Sequence, residues 1–203
     1  MRSIKLALLA ALALTLTGCV TVFPDVDPTT LYRFSGTIPA VAETAAPKVG
    51  VVKIGGSFTQ ASAGDQILTV TGDKVAYLAA ARWSGPATTL MDEALLRAFA
   101  SNGGPARLVT RGEPSRLNLA LRLDTQTFEA VYDKSPRAAP KIVVVTHLVI
   151  SRAGDRAAIT DKILTHEVRA SANRVSAVVR AFDEATSATL AEIVALTNQA
   201  AAS

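Results

Sequence analysis

An α+β fold, a mixed sheet under covering helices, is what the order of apolar patterns in this 203-residue chain predicts. Three observations carry it. Short β-rich runs come first, one clean amphipathic helical stretch between Gly/Pro breaks follows, and long alternating strands then lead into a helical C-terminus.

Taken in order, Leu31-Tyr32-Arg33-Phe34 alternates large and polar residues and reads as a first strand before a turn at Gly36. An Ala-rich loop from Ala40 to Pro47 leads to Lys48–Ile54, whose Val49, Val51, Val52 and Ile54 mark a buried strand stopped by Gly55-Gly56. The polar stretch to Asp65 reads as a surface loop. Ile67–Thr71 and Val75–Leu78 then flank Gly72-Asp73-Lys74 at hairpin spacing. Ser84-Gly85-Pro86 has the chemistry of a helix start, with Ser as N-cap and Pro in the first turn. Leu90, Met91, Ala94, Leu95, Ala98 and Phe99 recur behind it at helical spacing, and Asn102-Gly103-Gly104-Pro105 ends the run. That apolar stripe is most simply a core face; a partner-binding face is the alternative.

Arg107–Thr110 fits a short strand. Leu117, Leu119, Leu121 and Leu123 alternate with polar or small residues, and the apolar parity then switches to Phe128, Ala130 and Tyr132, which places a β-bulge near Thr125–Thr127. After Pro136 and Pro140, Lys141–Arg152 and Ala157–Ala170 form a long hairpin around Gly154-Asp155. Val175, Val178, Val179, Phe182, Leu190, Ile193, Val194 and Thr197 lie near one helical stripe running to about Asn198, with a break or bend expected near Thr186–Thr189.

The N-terminus has a separate logic. Arg2 and Lys5 precede an apolar run from Leu6 to Leu16, and Leu16-Thr17-Gly18-Cys19 closes it with the only cysteine in the chain. The run is about half of the roughly 20 residues needed to span a bilayer, so residues 1–18 read as a cleaved leader. The pattern resembles the bacterial lipobox, which implies cleavage before Cys19 and acylation of both its thiol and its new amino group. An ordinary secretory leader with a chance cysteine is the alternative. Each buried CH₂ is worth about 0.8 kcal/mol and a single chain anchors only marginally, so several chains on Cys19 make a lasting anchor. Val20 stands where lipoproteins retained at the inner membrane tend to carry Asp, which favours the outer membrane. Residues 19–30, with Pro24 and Pro28, form a lipidated tether, whose eleven residues Val20–Thr30 reach up to about 34 Å at roughly 3.1 Å per residue, and residues 31–203 form a single periplasmic domain.

Composition excludes several classes. With 49% hydrophobic residues the chain is not disordered throughout, although aromatics are scarce at 5%. The formal charge of +4 falls to +2 once Arg2 and Lys5 leave with the leader, too little for a nucleic-acid partner. Cys19 has no cysteine to pair with, so the domain holds without a disulfide. Phosphate-loop, dinucleotide, nucleophile-elbow and HExxH motifs do not occur. A two-residue turn at Gly154-Asp155 would put His147 opposite Lys162 and His166 about 13 Å further along, too far to share a metal; another register would bring them closer, but no third ligand is in sight. Asp183 and Glu184 read as a solvated helix face, and Asp124 and Glu129 as strand residues flanking the bulge. Nothing here supports an enzyme.

Arg82-Trp83-Ser84-Gly85-Pro86 is the most distinctive internal motif. Together with the lipobox, Leu31-Tyr32-Arg33-Phe34, the Val49–Ile54 strand and Phe128-Glu129, it resembles the ABC-type transport auxiliary lipoprotein family across the layout of residues 19–200. In that family an Arg-Trp followed by a small residue and Pro introduces the first long helix; the usual Glu before the Pro is Gly85 here. The resemblance implies a three-layer α/β/α sandwich with a mixed, largely antiparallel sheet. It also implies an accessory subunit working with an inner-membrane ABC permease and ATPase and a periplasmic MCE-family protein, with phospholipid as a further candidate partner and no cofactor or metal. Of the matched residues, Trp83 is expected as a core anchor and Arg82 as a helix-entry hydrogen-bond donor, with direct partner contact by Tyr32, Arg82 and Trp83 as the alternative. Two functions follow: a docking subunit, or a lipid carrier or chaperone. A purely structural envelope lipoprotein stands behind both.

Overall fold

The computed structural model describes residues 28–39, 43, 48–109 and 117–203. The leader, Cys19, most of the tether and most of the Ala40–Pro47 loop lie outside the described residues. The strands are β1 (Thr30–Tyr32), β2 (Val49–Lys53), β3 (Gln66–Thr71), β4 (Lys74–Trp83), β5 (Ala106–Val109), β6 (Leu117–Val131), β7 (Lys141–Arg152) and β8 (Ala158–Arg169). The helices are α1 (Gln60–Ala63), α2 (Ala87–Ala100) and α3 (Val175–Ala202).

β6 is the spine of the sheet, because its alternating leucines give it fifteen residues of uninterrupted strand. One edge pairs antiparallel with β7, and β7 pairs antiparallel with β8. The other edge is shared: its N-terminal part runs parallel to β2, which pairs with β5, and its C-terminal part runs parallel to β3, which leads to β4 and β1. Between them the chain leaves β2 at Gly55-Gly56, then returns to β6, where Ser57 O accepts from Thr125 N and Thr59 N donates to Thr125 O. Gly56 has φ +111°, and a Cβ there would fall 2.2 Å from Leu123 O, so only glycine passes.

The expected bulge lies between Thr125 and Thr127. It restores the inward parity, so Leu119, Leu121 and Leu123 before it and Phe128 and Ala130 after it all enter one core. On β7 the even positions Ile142, Val144, Thr146, Leu148 and Ile150 are buried and the odd ones half-buried. α3 lies over β7 and β8, and α2 packs against α3 and β5. The result is the α+β sandwich expected, a mixed sheet under helices. Both long helices share one face, so no described helix covers the opposite face of β6–β8.

Several local expectations give way to long-range partners. Ser84 does not cap α2, which starts after Pro86. Ser84 N instead donates to Tyr32 O, continuing the strand pairing, and Ala87 N donates to Gly64 O. The stretch before Asp65, expected as a plain surface loop, holds α1 and a bridge from Phe58 to Thr125. α3 runs unbroken through Thr186–Thr189; the buried Thr189 and Thr197 hydroxyls donate to the carbonyls of Ala185 and Ile193, while the buried Thr186 hydroxyl has no partner among the described residues. A one-residue register shift between Ile150 and Ser151 places His147 opposite Ile163, not Lys162. His166 pairs with Val144, so the two histidines occupy opposite faces.

Candidate functional site at the β1–β4 junction

The residues singled out by sequence meet where β1 runs parallel to the end of β4, with Tyr32 beside Trp83 and Leu31 beside Arg82. Trp83 is buried, 1% exposed. Phe34 stands edge-on to it with centroids 5.2 Å apart, and Phe182 of α3 does the same at 5.3 Å. Phe128 closes the set 4.9 Å from Phe182, and Phe58 lies 5.5 Å from Phe128. Five of the ten aromatic residues of this chain thus form one cluster joining the sheet to α3. Edge-on pairs add about 0.5–1.5 kcal/mol each beyond their buried area.

Arg82 points outward and its Nη1 donates to both carboxylate oxygens of Asp65, at 3.0 and 3.2 Å. It therefore serves no backbone carbonyl at the entry of α2. Asp65 also accepts from Trp83 N through its own carbonyl, 2.7 Å, so it clamps the Arg-Trp pair to the loop after α1. Tyr32 is half-buried against the core and its carbonyl takes Ser84 N. Gly85 stands in open space with nothing within 4 Å of a Cβ there, so a larger residue would fit.

Immediately after β1 the chain dives between the two long helices. Gly36 has φ +59°, and a Cβ there would lie 2.5 Å from Leu190 Cδ1 and 2.8 Å from Ala94 Cβ. Asp183, expected on a solvated face, is what holds this loop: its carboxylate accepts from Ser35 N at 2.6 Å, Gly36 N at 3.1 Å and the Ser35 hydroxyl at 3.0 Å. A second unforeseen tie closes the far ends of the helices. Asn102 and Asn198 exchange side-chain hydrogen bonds at 3.1 and 3.0 Å, and Asn198 also accepts from Ala106 N. No local sequence signal marks either tie, since the partners are 96 and about 148 positions apart.

The helix-free face carries a polar chain whose chemistry needs testing against catalysis. Ser57 Oγ donates to Asp124 Oδ1 at 2.7 Å, Arg122 Nε lies 2.9 Å from Asp124 Oδ2, and His147 Nε2 lies 2.7 Å from Asp161. Burial pushes the Asp124 carboxyl up, but the hydrogen bonds from Ser57 and Arg122 outweigh it and hold the group below the usual range. Burial alone raises Glu129. Ser57 donates to a carboxylate whose own hydrogen bonds make it a weaker base, a poor arrangement for activating a nucleophile. Among the described residues no group of three or more His, Cys, Asp or Glu side chains is placed to hold a metal ion.

Two clefts flank the junction. One encloses about 180 Å³ between β6 and the helices, lined by Phe58, Met91, Leu123, Leu190 and Ile193, with the Lys53–Asp92 ion pair at its rim. The other, about 380 Å³, lies between the Phe34–Ile38 loop and α2 under Arg33, Glu93 and Arg97. The apolar cleft falls short of the roughly 300–1,000 Å³ of ordinary ligand pockets. No described helix is long and apolar enough to cross a membrane.

A mixed sheet is tied to two helices by an aromatic cluster, and the polar groups described above are engaged in holding loops and strands together. Solved structures share the fold. A protein from Xanthomonas campestris superimposes with a TM-score of 0.69 at 21% identity, covering 83% of this chain and 95% of that one. A Chlamydia trachomatis protein does so with a TM-score of 0.52 at 10% identity, covering 74% and 96%. No curated protein matches by sequence. The sequence model of the ABC-type transport auxiliary lipoprotein component matches residues 32–194, and the chain belongs to that family. Its class is thus an accessory component of ABC transport, not a class of enzyme.

Proposed function

We propose that the protein is the lipid-anchored docking subunit of an MCE-associated ABC lipid transport system, held by acylated Cys19 at the periplasmic face of the outer membrane. Residues 1–18 are its leader, 19–30 its tether and 31–203 its docking domain. The observation that carries this reading is the family match over residues 32–194. The leader ending in Thr17-Gly18-Cys19 supports the anchor. The small apolar cleft favours docking over carriage, because an acyl chain needs a larger apolar cavity. Tyr32, Arg82 and Trp83 serve this domain by fixing β1 and β4 together, so their contribution to docking is made through the fold.

The test is capture of the tagged, acylated protein from mildly solubilised envelopes, followed by mass spectrometry of proteins and lipids. Recovery of an MCE-family protein with its permease and ATPase, and no stoichiometric lipid, is the expected result. Recovery of the protein alone with bound phospholipid overturns docking in favour of a carrier.

A further inference from the structure

The proposed anchor fixes where the domain is rooted, and the structure shows what surface lies at that root. β1 pairs with β4 only at Ala81–Trp83. In the preceding stretch of β4, Val75, Ala76 and Tyr77 pair with β3 on one side, Leu78, Ala79 and Ala80 fall in the register shift, and none of the six pairs with a described strand on the other side. The stretch carries no charge. Val75 is 61% exposed and Tyr77 44%, and Ala76, Ala79 and Ala80 are exposed as well. Leu31 of β1 is another 61% exposed apolar residue nearby. The chain leaves the domain at this place: Thr29 shares a surface depression with Tyr77, Leu78, Ala79 and Ala80.

Resting on the anchor reading above, we propose that the uncharged stretch Val75–Ala80 of β4, with Leu31, is the face the domain lays against the lipid bilayer. Thr29, near the end of the proposed tether, borders it, and nine residues separate Thr29 from Cys19. The bilayer is therefore the surface always within reach of this patch. Addition of a partner strand is the competing use of an open edge, but this edge is broken. Ala80 sits at φ +53°, and the β3–β4 register shifts between Gln66 and Leu68, which bends the strand away from a straight template. Alanines and a valine suit an apolar contact without hydrogen bonds. Tyr77, whose hydroxyl donates to Ala61 O, presents an apolar ring with a satisfied polar tip, as interfacial tyrosines do. Of the other exposed large apolar residues, Ile159 and Ile163 on β8 flank Asp161 and Lys162, and Ile54 after β2 and Leu96 on α2 stand on separate elements.

Single-cysteine labelling tests this in the full chain. Cys19 is the only native cysteine, so once its sulfur is acylated an introduced thiol is the sole reactive one. Tyr77→Cys, Val75→Cys and, as reference, Ile163→Cys lipoproteins are labelled with an environment-sensitive fluorophore. They are then bound to vesicles of phosphatidylethanolamine and phosphatidylglycerol, with or without brominated acyl chains. Val75→Cys is included because Val75 makes no hydrogen bond through its side chain, so it tests the patch without disturbing the Tyr77 contact. The expected result is a blue shift and loss of emission to brominated lipid at positions 75 and 77, with neither at 163. Vesicle-bound protein whose labels at 75 and 77 are unquenched overturns the apposition while leaving the anchor intact. Labels shielded only when a transport partner is added, without lipid quenching, overturn it in favour of a protein contact. Protein that does not float with the vesicles overturns the anchor and the apposition together.

Discussion

The β7–β8 hairpin and the β3–β4 hairpin meet solvent in opposite ways. Along β7–β8 the outer face is ruled by charge: His147 with Asp161, Lys141 with Glu167 at 2.9 Å, and Arg169 with Asp133 at 2.7 Å. Its edge strand, β8, carries Asp161, Lys162, Glu167 and Arg169, the kind of residues that keep an open edge from recruiting another strand. From Val75 to Ala80, β4 has no such guard and relies on a bulge alone. The two differ in depth as well. β8 packs against α3, with Leu164 buried and His166 bonded to Glu192, whereas β4 is pinned at one end by Trp83 and left bare at the other. A sheet margin finished with ion pairs is suited to water, and one left apolar beside the root of the proposed lipid tether fits the less polar surface proposed for it.

The difference breaks most completely at the pin. Trp83→Ala removes the centre of the aromatic cluster and is expected to cost about 3–5 kcal/mol, read as a lowered denaturation midpoint at unchanged m-value. Next comes the tie that seats β1's exit between the helices. Asp183→Ala strands the buried-side donors of Ser35 and Gly36 and should cost about 1–3 kcal/mol, with Asp183→Asn recovering part of it through the retained oxygen.

The charged hairpin should respond to acid. The Arg169 guanidinium beside Asp133 holds its carboxyl down at about 2, below the ordinary 3.8. A depressed folded pKa contributes stability that is present above the unfolded value and lost as pH falls through the folded one. Wild-type protein is therefore expected to lose this contribution between pH 3.8 and about 2. Asp133→Asn, measured by chemical unfolding over that window, should show a shallower fall. The smallest effects belong to the bare surfaces: Val75→Thr and Ile163→Thr are each expected to stay within about 0.5 kcal/mol of wild type. A cost well above that at Val75 would mean that the exposed stretch of β4 is packed after all.

The sequence legibility of these regions also differs. β6, its bulge and the β7–β8 hairpin were readable because strict alternation and one change of parity are local signals. What escaped depends on partners far along the chain. Ser84 looks like a helix cap, but its N–H is already committed to Tyr32 O, and the first turn of α2 borrows Gly64 O. Asp183 looks solvated until Ser35 and Gly36 are seen to need it. The His147 register depended on a one-residue shift near the hairpin tip that no composition reveals. At the β1–β4 junction the motif residues Tyr32, Arg82 and Trp83 were identifiable, but the Arg82 partner, Asp65, was not, because a carboxylate seventeen positions away has no sequence spacing to announce it.

The proposed placement at the membrane and the orientation proposed for β4 both depend on Cys19. Mass spectrometry of the N-terminal peptide from the purified full-length gene product tests it directly. The expected species begins at Cys19 and carries acyl chains on its sulfur and amino group. A mature chain that retains residues 1–18, or that starts elsewhere with an unmodified Cys19, contradicts the account.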